Sequence, residues 1–424
     1  MASTRIARVT ARQTYSDRGH PGVRAAVTTE NGATGSAEVT AGTSVGKYEV
    51  QFAYDEDDKR FGGRGVGRAV HNIEQVIAPA IIGMDATAQA EVDRTMIELD
   101  GTPDKTRLGG NATAAVSAAV LQAAAKSVGL PLYRYIGGMN ACLMPVPGVI
   151  VATGARRYGG GERSGSKPTY ALMCHGFDSF SAASYAAWEV EKVYRQLLFE
   201  RLGVDAVSRA TPPIISPGRV RHDRELWSLM TEAIDKAGYE GKIGIQVDVA
   251  AGTYYDEESE RYVGLFSAED KTRDEMIALF QEAVRQYPFV IIEDPLDEDD
   301  FEGHAILART LGIEVVGDDL FTTNLERVRH GVALGAANTV LLKVNQIGTI
   351  TEAFDMVQFA YRHGYGVMPC NSRGEGAVIA DYTVGLGCGH LREGATGPVG
   401  NRFLEIEEEL GPRAEFAGRR GLKP

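Results

Sequence analysis

Three short apolar runs in the second half of the chain end on carboxylates, and a fourth ends on a lysine. Asp248 closes IGIQVD, Glu293 and Asp294 close FVIIED, Asp318 and Asp319 close IEVVGDD, and Lys343 closes TVLLK. Carboxylates brought together at such ends repel one another unless a cation neutralises them. An all-oxygen donor set selects Mg²⁺, or Mn²⁺, over zinc. A lysine beside a dication and other cations has a depressed proton affinity and serves as a general base near neutral pH. A metal holding a substrate carboxylate acidifies the neighbouring carbon-bound proton, so this set spells proton transfer next to a carboxylate. Plainer roles exist for each residue alone: an acidic residue after a strand caps the next helix, and a lysine pairs with a carboxylate.

The elements that must position these groups repeat. From about residue 240, a short apolar strand ending on a charged residue is followed by an amphipathic helix, and GVMPCN continues the series towards Asn371. Buried runs such as VIIE and VLLK suit parallel strands covered on both faces. Polar residues at successive strand ends read as the active rim of a (β/α) barrel, with a doubly wound open sheet as the structural alternative. Residues 5 to 54 alternate in the strand manner, through Ile6 and Val9, Val23 to Val27, and Ala37 and Val39. Helical spacing follows from Val66 to Ile81, and again from Asn111, read as an N-cap, to a stop at Gly129. The first 140 residues therefore form an α+β unit, and MPVPG opens a second unit spanning residues 141 to 424.

Composition narrows the partners. A net charge of -13 argues against a nucleic-acid surface, which needs clustered Lys and Arg. Cys142, Cys174, Cys370 and Cys388 are scattered, with no CxxC pair, which favours a reducing compartment and no zinc framework. The stretch MASTRIARVTARQTY lacks the apolar centre of a signal peptide, and no run of 18 apolar residues occurs, so a soluble cytoplasmic protein with no membrane contact is expected.

The strings ARQTYSDRGHPGV, RFGGRGVGRAVHNIEQVIAPAIIG, LPLYRYIGG, MPVPG, IIEDPLDEDD, VGDDLFTTN, LLKVNQIGTITEA and FLEIEEEL lie in collinear order over nearly the whole chain. In these the chain resembles the enolase family. The resemblance implies an N-terminal α+β capping domain, a C-terminal (β/α)8-type TIM barrel, Mg²⁺, a small anionic substrate and a homodimer. It implies Asp248, Glu293 and Asp318 as metal ligands, Lys343 as the base, and Ser44, in AGTSVG, as a contact to a second magnesium.

The departures from the family pattern are as informative. Where enolases carry NGGxHA this chain has ATGARRYGGG, with Arg157 about where the histidine falls. The QEF motif, whose glutamate helps to expel hydroxide, becomes Pro168-Thr169-Tyr170, and GDEGG becomes ATPPIISPG with Pro213 near the glutamate. SHRSGE becomes CNSRGE, with Asn371 at the histidine and Arg373 offset by one, still within reach of an anion. The family's later lysine is Arg392, which keeps the charge and adds a bidentate fork. Residues 154 to 168, rich in Gly and bearing Arg156, Arg157, Arg163 and Lys167, read either as a cationic loop for a larger anion or as a solvated surface loop. Loss of a general acid costs about 10²–10⁴-fold in rate, so ordinary dehydration should be impaired. The leading expectation is accordingly a divergent paralogue acting on a phosphoenolpyruvate-like or phosphoglycerate-like anion, in the manner of a carboxyphosphonoenolpyruvate synthase of phosphonate antibiotic biosynthesis. The alternatives are an authentic 2-phosphoglycerate hydro-lyase and a catalytically silent paralogue.

Overall fold

A computed structural model describes residues 3–16, 19–42, 45–57, 59–154, 156–160, 167–204 and 211–424. The chain begins with three antiparallel strands, β1 (Ile6–Tyr15), β2 (Pro21–Thr29) and β3 (Thr34–Thr40), as the alternation predicts. Val23, Ala25 and Val27 point to one face of β2 and are fully buried, because period-two spacing places them together. They pack on an Ala-rich helix, Gly110–Ser127, whose small side chains let sheet and helix approach closely. The approach is tightest at Gly35, where a Cβ would lie 2.2 Å from the carbonyl oxygen of Ala119.

Two local expectations are corrected. Gly109, with φ of 95°, is the N-cap of this helix. Asn111 lies inside it and uses its side-chain oxygen to accept from the Ala53 N–H at 2.9 Å. The helical run from Gly67 to Ile81 widens into a π turn over Ile73–Ile77. Pro79, which offers no N–H, accounts for the loosened ladder.

Among the described residues of the second half, eight strands form one ring-like sheet. In chain order they are β4 (Val146–Ala152), β5 (Thr169–Cys174), β6 (Ile243–Asp248), β7 (Phe289–Glu293), β8 (Glu314–Gly317), β9 (Thr339–Leu342), β10 (Gly366–Pro369) and β11 (His390–Leu391). Strands β6 to β10 pair in parallel with their immediate neighbours, and β11 pairs in parallel with β4. Helices Arg273–Gln286, Phe301–Thr310, Leu325–Leu334 and Ile350–Arg362 separate the parallel strands. Val146, Met173, Ile291, Val316, Leu341 and Met368 fill the interior.

The barrel differs from a uniform strand-helix repeat in one respect. Strand β5 runs antiparallel to both β4 and β6, and two helices in succession, Phe180–Leu202 and Arg224–Lys236, then lead to β6. Thr169, the first residue of β5, is thereby registered with Asp248, the last of β6. An antiparallel strand delivers its beginning to the rim where the others deliver their ends.

The N-terminal part grips this rim. Lys47 Nζ and Tyr48 Oη reach the two carboxylate oxygens of Asp299 at 3.1 and 2.6 Å, and the Arg327 guanidinium lies 3.7 Å from the centre of the Tyr48 ring. Among the described residues no single helix is long and apolar enough to cross a membrane.

Strand β4 passes close to the chain that carries Arg392. A Cβ on Gly148 would lie 2.0 Å from the Arg392 carbonyl oxygen and 2.7 Å from Met173 Sδ. Gly148→Ala is therefore expected to cost about 1–3 kcal/mol by overpacking. Urea denaturation measures it, and a loss below about 0.5 kcal/mol, the range of an indifferent surface change, contradicts the packing.

Candidate active site

Strand length fixes where the chemical groups emerge. β6 and β7 end on Asp248 and Glu293, β8 stops one residue before Asp318, and β9 one residue before Lys343. All four side chains are buried, between 0% and 6% exposed. Lys343 Nζ donates to Asp318 Oδ2 at 2.5 Å, and Gln346 Nε2 donates to Asp318 Oδ1 at 2.7 Å. Burial works to raise the Asp318 pKa, but the Lys343 charge and hydrogen bond bring it down to about 2. Burial likewise opposes the Lys343 charge, and Asp318 more than restores it, so Lys343 holds its proton more tightly than an ordinary lysine. Sequence alone does not reveal this ion pair, which sets the proton affinity of Lys343 in the structure.

The closest cluster of acidic oxygens differs from the expected set. Among the described residues, Glu293, Asp294 and Asp318 bring ligand atoms within 4.8 Å of one another. Asp294, at φ of 44°, follows β7 and ties it to the residues that follow β8: its oxygens accept from the Asp318 N–H at 3.0 Å and the Asp319 N–H at 2.8 Å. Asp319 is pushed up to about 8, first by burial and then by the Asp318 charge. Asp248 instead bonds two cations, the Arg392 guanidinium and the Lys167 ammonium. Arg392 also reaches Glu293 at 3.3 Å and Cys370 Sγ at 3.3 Å. Burial, followed by the charge of Arg392, lowers Lys167 to about 8.

Lys167, Lys343 and Arg392 stand against Asp248, Glu293, Asp294, Asp318 and Asp319, all in one buried neighbourhood. Five carboxyl groups share that space with the three cations, and the oxygens of Glu293, Asp294 and Asp318 converge. This all-oxygen donor set fits a hard divalent cation.

Ser44 and Arg163 lie outside the described residues. Arg373 is 2% exposed and locked to Glu49 by two contacts of 2.5 Å, so its fork is already filled. Asn371 turns its side-chain oxygen to the Gly376 N–H at 2.8 Å and ties its own loop. Pro213 pairs through its backbone oxygen with the Thr153 N–H at 2.8 Å.

Arg157, expected to bind substrate, is committed elsewhere. Its guanidinium meets Asp223 at 3.1 and 2.5 Å, and the hydroxyls of Tyr158 and Tyr170 donate to the same carboxylate at 2.8 and 2.5 Å. Trp227 Nε1 donates to the Tyr170 hydroxyl at 2.9 Å and completes the network. A buried charge with a carboxylate already in place has no need of a ligand. Sequence inspection also did not single out Glu49 or Gln346 as part of the site, and it read Lys167 only as one cation of a loop.

Residues 6–136 match the enolase N-terminal domain, and residues 141–424 match the enolase C-terminal TIM barrel domain. The chain belongs to the enolase family. The enolase of Methanopyrus kandleri is 46% identical over 429 residues, covering 98% of each chain. The enolase of Methanocaldococcus jannaschii is 41% identical over 420 residues, 97% of this chain and 96% of its own. That of Thermococcus gammatolerans is 41% identical over 433 residues, 99% and 98% of the two chains. The chain is an enzyme of the enolase superfamily, a lyase. Relatives of this likeness and coverage, all named enolase, overturn the expectation of a paralogue devoted to phosphonate antibiotic biosynthesis. They favour the authentic enolase alternative. The altered motifs that prompted the other reading are real in sequence, but at Arg157 the structure shows a substitution absorbed by a buried partner.

Because Asp223 compensates Arg157, Asp223→Ala should destabilise the fold by about 3–5 kcal/mol, the cost of stranding a buried charge. The double change Arg157→Met with Asp223→Leu should recover most of that loss in thermal unfolding. If Arg157 instead served the substrate, Arg157→Met would raise KM with little effect on stability.

Proposed function

We propose that this protein interconverts 2-phosphoglycerate and phosphoenolpyruvate with Mg²⁺, or Mn²⁺ in its place. The observation that carries the proposal is the Lys343–Asp318 pair, set within a buried excess of carboxylates at the rim of an enolase-family barrel. Asp248, Glu293 and Asp318 are the proposed ligands, and Ser44 is kept as a ligand on sequence grounds alone. A metal held by these residues would offset their charge and draw electron density from the substrate carboxylate, and Lys343, freed of part of its hold on Asp318, would give up its proton more readily.

Lys343 is the group that moves the proton at carbon 2. In the hydration direction its ammonium gives that proton to phosphoenolpyruvate, and in dehydration the neutral amine removes it. Hydroxide leaves carbon 3, and Lys167 and Arg392, bound to Asp248 rather than Asp318, are the donors that meet its charge. Arg373, held by Glu49, ties the loop that bears it to the N-terminal segment and keeps that loop against the site. Burial keeps water from the ammonium groups, so each electrostatic contact acts at low dielectric. The same proposal assigns residues 1–140 to the cap and 141–424 to the catalytic barrel, places the enzyme in the cytoplasm, and extends to a homodimer, which sedimentation equilibrium measures.

With 2-phosphoglycerate and Mg²⁺, phosphoenolpyruvate should form at a kcat of about 1–10³ s⁻¹, and a chelator should abolish it. Lys343→Ala should lower kcat by about 10²–10⁴-fold. A well-folded wild-type enzyme that leaves 2-phosphoglycerate unchanged in Mg²⁺ would sink the proposal.

A further inference from the structure

The helix that follows Lys343, Ile350–Arg362, starts on groups supplied by the N-terminal part of the chain. The first four N–H groups of a helix have no partner within it. Here the third and fourth are met locally, Glu352 N–H by Thr349 Oγ1 at 3.3 Å and Ala353 N–H by the Thr349 carbonyl at 3.2 Å. The first and second are met from a distance. Ile350 N–H donates to Ser117 Oγ at 2.9 Å, and Thr351 N–H donates to Asp93 Oδ2 at 2.9 Å. The Thr351 hydroxyl donates to the same oxygen at 2.6 Å, while Ser117 Oγ and Gln89 Nε2 donate to Asp93 Oδ1 at 2.6 and 3.1 Å. Two N-terminal helices, Gln89–Asp100 and Gly110–Ser127, thus meet on this one turn.

Asp93 is fully buried, and each of these partners is a neutral donor. Burial disfavours its charge, and the donors act against that. Capping alone does not call for a buried carboxylate, since a serine or threonine serves. What the carboxylate adds is a fixed negative charge at the positive end of the helix dipole and enough oxygen for several donors at once. Lys105, 2% exposed, reinforces the same turn through Glu352 at 2.9 Å.

Between that turn and Lys343 lie only the short helix Val344–Ile347, Gly348 and Thr349. The segment has little slack. Gln346 N–H donates to the Lys343 carbonyl at 3.0 Å, Gly348 N–H to that of Val344 at 2.8 Å, and Val50 N–H to that of Gln346 at 3.0 Å. A Cβ on Gly348 would lie 3.1 Å from Thr113 Oγ1, so the N-terminal part also packs closely here. Lys343 carries its ammonium on a rotatable four-carbon stem, so the place of that ammonium depends on how firmly the backbone below it is held.

We propose that Asp93 is a positioning residue for proton transfer: it holds the first turn of Ile350–Arg362 to the N-terminal part, and thereby fixes the segment that presents Lys343 to carbon 2. This rests on the reading of Lys343 as the group that moves that proton. Asp93 touches neither substrate nor metal ligand in this role, so its loss should act on the chemical step rather than on binding.

Proton exchange at carbon 2 of 2-phosphoglycerate in D2O, measured on the full-length enzyme with Mg²⁺, tests this beside steady-state kinetics and calorimetric titration of MgCl2. In folded Asp93→Ala the exchange rate should fall by about 10–10²-fold, the cost of a displacement of about 1 Å at a reacting group. KM and Mg²⁺ affinity should stay within about threefold of wild type, as they do when an interaction made only in the transition state is lost. Asp93→Asn, which keeps the shape and one oxygen for Thr351, should recover most of the rate. Thermal melting establishes that each variant is folded, and Ser117→Ala, with a loss of about threefold or more, serves if the Asp93→Ala protein is not. Wild-type exchange in the folded variant, or a fall matched by equal losses in KM and Mg²⁺ affinity, overturns the inference. Lys343→Ala, run alongside, separates the two readings: unimpaired exchange there removes the role of Lys343 itself, whereas loss there with none in Asp93→Ala overturns the positioning role alone.

Discussion

Electrostatic crowding at the barrel rim is the constraint from which the rest of the structure follows. Asp248, Glu293, Asp294, Asp318 and Asp319 are buried within one neighbourhood, where desolvation and mutual repulsion disfavour their charges. Every cationic group described near them is spoken for: Lys343 by Asp318, Lys167 by Asp248, Arg392 by Asp248 and Glu293. Such a cluster is expensive to fold, and its persistence indicates a purpose other than stability. A hard cation and a proton-transferring lysine are what the arrangement accommodates.

The fold meets that cost by tying distant segments to the rim. Glu49, from the N-terminal part, accepts from Arg373 and lies 3.4 Å from Gln346 Nε2, which in turn donates to Asp318. A chain of hydrogen bonds thus runs from the N-terminal segment to the carboxylate that holds Lys343. The network around Asp223 does comparable work beside β5, where Arg157, two tyrosines and Trp227 satisfy one another. Arginines that look like substrate ligands in a linear sequence act here as ties between elements.

What could be read from sequence follows the range of the physical signal. The strands ending at Asp248 and Glu293 were legible because a buried apolar run closed by a charge is a local pattern. Lys343 was legible for the same reason, but its raised proton affinity was not, since that depends on a carboxylate 25 residues away. The commitments of Arg157 to Asp223, 66 residues on, and of Arg373 to Glu49, 324 residues back, leave no local trace. Strand direction leaves none either. Period-two alternation is the same in both senses, so Lys167 could not be placed at the rim until β5 was seen to run against its neighbours. The motif departures carried too much weight because a lost residue shows in sequence and a compensating contact does not.

The proposed role of Lys343, working beside this carboxylate cluster, is to transfer the proton at carbon 2 of the substrate. Proton NMR of 2-phosphoglycerate held with the enzyme and Mg²⁺ in D2O tests it most directly, because exchange at carbon 2 reports that transfer without requiring loss of hydroxide. Deuterium should appear at carbon 2 with the wild type, and at a rate lower by about 10²-fold or more with folded Lys343→Ala. Exchange at the wild-type rate in that variant would contradict it.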